Sequence, residues 1–150
     1  MAVMHKMYVK GLLNMGGGDA AGDGPMDLLS DTMKLTLHTA TYTPIQATDE
    51  TKSQATNELG TSNGYTAGGA TLASKVFSTS GLVATFDAAD VTWTLTGAVT
   101  FRYGVIWDDT PTTPADPLLT YIDTGGDQTL NGVDLVFAWN VAGIFTLTAA

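Results

Sequence analysis

At 150 residues the chain has the length of one domain, enough to bury about two-thirds of its unfolded surface. Fifteen acidic residues against six basic ones give a net charge of -9, and cysteine is absent. This excludes disulfide-stapled scaffolds, cysteine nucleophiles and cysteine-ligated metal sites, and it argues against nucleic-acid binding, which needs Lys and Arg to displace counterions.

In chain order, residues 7–13 are apolar and are followed by a stretch rich in glycine and small residues, 14–25. The first 25 residues therefore read as an N-terminal arm with a flexible connector, and 26–150 as the body. Residues 8–13 are expected to fold back onto the body. Residues 1–7 and the glycine loop are expected to reach a neighbouring molecule. No apolar run approaches the ~20 residues of a membrane helix, and the start lacks the continuous apolar stretch of a secretory signal, so neither a membrane partner nor export is expected.

The body is rich in threonine (25 residues) and glycine (17) and poor in the charged helix formers, which predicts strands and turns. Met33, Leu35 and Leu37 alternate with Lys34, Thr36 and His38, which predicts a strand over 33–38 with His38 on its outward, exposed face. The polar segment 49–59, acidic at its start and ending before Gly60, predicts a short surface helix. Strands follow at 71–78, 82–87, 91–96 and 98–107. Across 99–107, Val99, Phe101, Tyr103, Val105 and Trp107 all fall on one phase. Residues 108–117 hold Pro111, Pro114 and Pro117 and form a loop. The last strands are predicted at 118–123, 133–140 and 143–148. Turn-forming pairs such as Asn63-Gly64, Ser80-Gly81, Gly125-Gly126 and Asn131-Gly132 separate several of these runs. The expected architecture is all-β: a single β-sandwich, jelly-roll-like, with an N-terminal arm and a glycine-rich insertion.

No constellation of residues identifies a reaction. Asp123-Thr124-Gly125 follows an apolar run, as the catalytic carboxylate of an aspartic protease does. In those enzymes most of the fold comes after the triplet, whereas here 25 residues follow Gly125, so a turn is the better reading. Asp19, Asp23, Asp27 and Asp31 recur every fourth residue. The intervening glycines and Pro25 defeat a helix, and the spacing of a calcium loop is missing. Asp108-Asp109 opens the proline loop and reads as a turn-starter. His5 and His38 are the two histidines, and neither sits in a nucleophile or base motif. Trp93, Trp107 and Trp139 lie on the apolar phase of their strands, so core packing is expected over a sugar-stacking platform. The residues thus predict no enzyme, no catalytic residue, no cofactor and no metal.

Several runs, taken in order, carry a family resemblance. They are Leu12-Leu13-Asn14, Asp31-Thr32-Met33-Lys34-Leu35, Tyr42-Thr43-Pro44, Asn57-Glu58-Leu59-Gly60 and Gly64-Tyr65-Thr66-Ala67-Gly68-Gly69-Ala70-Thr71-Leu72. Next come Phe86-Asp87-Ala88-Ala89-Asp90-Val91-Thr92-Trp93 and Phe101-Arg102-Tyr103-Gly104-Val105-Ile106-Trp107-Asp108-Asp109-Thr110. The series closes with Asp116-Pro117-Leu118-Leu119-Thr120-Tyr121-Ile122-Asp123-Thr124-Gly125, Phe137-Ala138-Trp139-Asn140 and Gly143-Ile144-Phe145-Thr146-Leu147. Over about residues 8–148 the chain resembles a widespread family of small virion proteins of tailed bacteriophages. Members of that family join Asn14 to Asp27 more directly, which marks 15–25 as an insertion.

The resemblance implies a structural virion component, assembled in the host cytoplasm. A head-decoration (cement) protein comes first; a tail, neck or fibre-associated protein with a carbohydrate-binding role is the alternative. The implied partners are the major capsid protein and further copies of the chain, as trimer or dimer, with neither nucleic acid nor membrane. The acidic second half, in which Arg102 alone faces eight aspartates, would be repelled by packaged DNA and suits an outward position.

Overall fold

The computed structural model describes residues 4–15 and 26–149. The elements are β1 (Met4–Met7), α1 (Val9–Met15), β2 (Met33–His38), β3 (Ala70–Thr71), β4 (Val76–Ser80), β5 (Val83–Asp87), β6 (Val91–Thr94), β7 (Ala98–Asp108), β8 (Leu118–Asn131), β9 (Asp134–Phe137) and β10 (Phe145–Thr148). A five-stranded antiparallel sheet in the order β1-β8-β7-β2-β3 is joined by a three-stranded sheet, β10-β5-β4, and a pair, β6-β9. Leu35 and Leu37 from β2, Ile106 from β7 and Ile122 from β8 belong to one apolar cluster with Phe86 from β5, Trp93 from β6 and Leu135 from β9. The fold is an all-β sandwich. Its described strands divide five, three and two, rather than into the two four-stranded sheets of a jelly roll.

A second apolar cluster lies on the other face of the large sheet. Tyr103, Val105, Trp107, Leu118 and Tyr121 pack there with Tyr8, Tyr42 and Ala55. The single phase read across 99–107 is therefore divided between two faces. The β7–β8 register runs from Ala98↔Asn131 to Phe101↔Gln128 and resumes at Tyr103↔Asp123. Residues 124–127 bulge out opposite Arg102, and the irregularity reverses the facing of everything beyond it. Val99 and Phe101 thus belong to the first cluster, and Tyr103, Val105 and Trp107 to the second.

The second cluster also corrects the expectation for His38. It points away from Leu35 and Leu37 as predicted, yet it is fully buried, because residues 39–59 cover that face. Those residues are not the predicted surface helix. Gln54 Oε1 accepts from the N–H groups of Glu50 and Thr51 at 2.7 and 2.9 Å. The Lys52 N–H donates to the Asp116 carbonyl and the Leu118 N–H to the Glu50 carbonyl. Backbone groups that a helix would pair internally are spent on the start of β8.

The segment set apart in sequence as an arm belongs to this fold over its described part. β1 pairs with the outer edge of β8, from Met4↔Asp123 to Met7↔Thr120. Tyr8 is fully buried, and its N–H donates to the Leu119 carbonyl at 3.1 Å. At Gly11 a Cβ would sit 2.5 Å from the Leu118 carbonyl oxygen, so only glycine lets α1 approach β8 this closely. The glycine-rich connector 16–25 lies outside the described residues, as do residues 1–3. The predicted strand 71–78 is interrupted: Ser74 adopts φ +51° and separates β3 from β4.

Candidate interaction surfaces and the fate of the predicted site residues

Among the described residues the acidic candidates do not gather into one site: Asp31 neighbours Asp108, and Asp123 pairs with Arg102. Asp123 sits at the end of the regular part of β8, and Gly125 at φ +78° turns the chain into the bulge rather than ending the strand. Arg102 Nε donates to Asp123 Oδ1 at 3.2 Å, and the Gly125 N–H reaches the same oxygen at 2.9 Å. Partial burial pushes the Asp123 carboxyl up, but these donors outweigh it and hold the group below its ordinary range. An aspartic dyad needs two carboxylates sharing a proton; the partner here is a guanidinium.

Asp27 and Asp31 bracket a turn. Asp27 Oδ1 accepts from the Leu29 and Ser30 N–H groups at 3.0 Å, and the Asp27 N–H donates to Asp31 Oδ2 at 2.8 Å. Asp19 and Asp23 lie outside the described residues. Asp109 pairs with Lys34 at 2.6 Å. Asp108 is fully buried; its Oδ1 accepts from the Thr110 N–H at 3.0 Å, while Oδ2 has no donor. Burial, reinforced by the neighbouring Asp31 carboxyl, pushes Asp108 up to about 7. Among the described residues no three His, Asp or Glu side chains gather as a metal-ligand set.

The histidines are far apart in role. His38 Nδ1 lies 2.8 Å from the Thr56 carbonyl and Nε2 2.9 Å from Thr36 Oγ1. A carbonyl can only accept, which assigns the proton to Nδ1 and leaves Nε2 to accept from Thr36. Burial drives the pKa of His38 down to about 4. His5, on β1, stands edge-on to Trp139 with ring centres 6.3 Å apart.

The tryptophans divide. Trp93 and Trp107 are buried, and Lys34 and Lys52 both reach over the Trp107 ring, at 5.4 and 5.9 Å. Trp139 departs from the expectation and is only half-buried. Its Nε1 donates to the Ala89 carbonyl and its N–H to Asp90 Oδ1, both at 3.0 Å. It forms one side of a groove of about 630 Å³ with His5, Phe101, Phe137, Gln128 and Asn140 on the walls. The apolar phase pointed to a core position for Trp139, but β9 ends at Phe137, so the alternation no longer sets its facing.

Sequence reasoning also missed Glu58 as a joint. Its carboxylate accepts from Tyr65 Oη at 2.8 Å, the Gly68 N–H at 2.6 Å and Lys52 Nζ at 2.8 Å. Desolvation raises the pKa of Glu58, and these donors more than reverse it. Three donors converging on one carboxylate lock the 57–69 loop over the sheet.

The second surface is the sheet β10-β5-β4. Every residue of β4 is exposed, and Val76, Phe77, Leu82 and Leu147 present 40% or more of their surface to solvent. From residue 76 to residue 86 the chain carries no charge at all, on a molecule of net charge -9. Exposed apolar side chains gathered in one place, rather than scattered, mark an interaction surface. No family model, no curated protein and no solved structure matches the chain.

Proposed function

We propose that this protein is a structural component of a tailed-phage virion, a decoration or cement protein that binds the outer surface of the head. Its partners are the major capsid protein and further copies of itself; it handles neither nucleic acid nor membrane, carries no cofactor and catalyses nothing. The observation that carries the reading is the partly apolar edge of the sheet β10-β5-β4, uncharged from residue 76 to residue 86 and exposed along β4, on an acidic sandwich. The sequence resemblance over residues 8–148 supplies the class of partner. A capsid lattice presents the same contact many times, so modest affinity per copy suffices. Threonine-rich strands hold few long side chains whose freedom binding would remove.

The test is co-sedimentation with capsids of the encoding phage assembled without this chain. Stoichiometric binding, weakened at least tenfold by Leu82→Asp, supports the reading. Absence of binding by the folded wild-type chain overturns it.

A second reading, a tail, neck or fibre protein that binds carbohydrate, is favoured by the groove beside Trp139. A half-buried indole held by its Nε1 bond to the Ala89 carbonyl, on a backbone fixed by the bond to Asp90, suits stacking against a sugar ring. Binding of the chain to host surface polysaccharide, lost in Trp139→Ala, would select this reading over the first.

A further inference from the structure

We infer that β4 is a self-pairing edge: two copies of the chain join antiparallel along Val76–Ser80 about a twofold axis through Ser78. The sheet order β10-β5-β4 makes β4 a terminal strand, so one side of its backbone presents N–H and C=O groups without a strand partner among the described residues. Such a row is completed by another strand, and main-chain hydrogen bonds supply the attraction.

Proteins guard exposed edges with charge, proline, bulges, brevity or a covering element. The edge of β8 is covered by β1, and β3 is two residues long. Among the described residues β4 has none of these devices. It holds no charged residue and no proline, and its register against β5 runs unbroken from Val76↔Asp87 to Ser80↔Val83.

Charge and facing select a second copy as the occupant. Two molecules of net charge -9 repel wherever carboxylates meet, and residues 76–86 bring none. Pairing about Ser78 sets Phe77 beside the other copy's Thr79 and Val76 beside its Ser80. The axis stands perpendicular to the sheet, so the inner faces, with Phe77 and Phe86 on each, stay on one side. The contact is isologous and closes at two copies. A five-residue edge falls at the small end of specific interfaces, below about 1,200 Å², so the pair is held loosely in free solution.

The inference rests on the self-association included in the proposed function and not on capsid binding. Ser78 residues facing each other across an antiparallel pair have Cα atoms about 4.5–5.5 Å apart, within disulfide reach. The chain has no cysteine, so Ser78→Cys introduces its single thiol. Oxidised at high protein concentration, Ser78→Cys is expected to form a covalent dimer in high yield. Ser80→Cys places its thiol opposite Val76 and should cross-link at least tenfold less. Ser78→Lys, which sets two ammonium groups side by side, should shift sedimentation to the monomer while its melting temperature stays within a few degrees of wild type.

Equal cross-linking of the two cysteine variants, or a wild-type chain that sediments as a monomer at the highest accessible concentration, overturns the inference. Capsid binding by a monomeric chain would refute the edge alone; dimerisation through β4 without capsid binding would refute the virion reading alone.

Discussion

At the scale of single residues, two buried titratable groups set opposite pH dependences. His38 has a folded pKa of about 4, below its ordinary 6.5, because burial disfavours the charged ring. Its contribution to stability is complete above pH 6.5 and is lost as the pH falls through 4. NMR titration of the folded chain should show the His38 ring neutral down to about pH 4; a midpoint near 6.5 would mean that the 39–59 cover is absent. Asp108 acts the other way. Burial raises it from 3.8 to about 7, so its contribution is complete below 3.8 and is lost as the pH rises through 7. Asp108→Asn keeps an acceptor for the Thr110 N–H and removes the charge. Above pH 7 the variant is expected to melt higher than wild type, by roughly 2–4 °C for each kcal/mol recovered, and the gap should close towards pH 4. A gap that is the same at both pH values would show that Asp108 ionises as an ordinary surface carboxylate.

Elements were legible in the sequence where the local rule decided the outcome. β2 occupies the predicted span, because Met33, Leu35 and Leu37 meet one apolar layer throughout. β8 runs on to Asn131, past the residues that read as a turn, since Asp123-Thr124-Gly125 has the composition of a turn and the conformation of a bulge. Alternation also reports which side a residue takes without reporting whether that side is covered. That is why His38 reads as exposed although Tyr42 and Thr56 lie against it, and why 49–59 reads as a helix although Thr51 bridges to Pro117 and Glu50 accepts from the Leu118 N–H.

α1 supplies the test at this scale. If residues 4–15 belong to the domain, Gly11→Ala forces Cβ against the β8 backbone and should cost about 1–3 kcal/mol in urea unfolding. An unchanged midpoint would return the segment to the status of an arm.

At the scale of the molecule, the sandwich spends its polar chemistry on its own architecture. Asp123 is tied to Arg102, Glu58 to Lys52, and Asp49 to Tyr42 Oη at 3.1 Å, which in turn lies 2.7 Å from Tyr8 Oη. The surfaces left over are the groove beside Trp139 and the exposed edge of the β10-β5-β4 sheet, uncharged over residues 76–86. Neither was legible beforehand: Trp139 lay on the apolar phase, and residues 76–86 read as ordinary strand and turn. Exposure is a property of the assembled sheets, and sequence periodicity does not carry it.

A cryo-electron-microscopy map of the virion, with this sandwich fitted, measures the proposed role most directly. The decoration reading predicts copies at regular lattice positions on the outer surface of the head, with the β10-β5-β4 sheet at a contact. Density for the chain in the tail, or a virion that lacks it, would contradict that account.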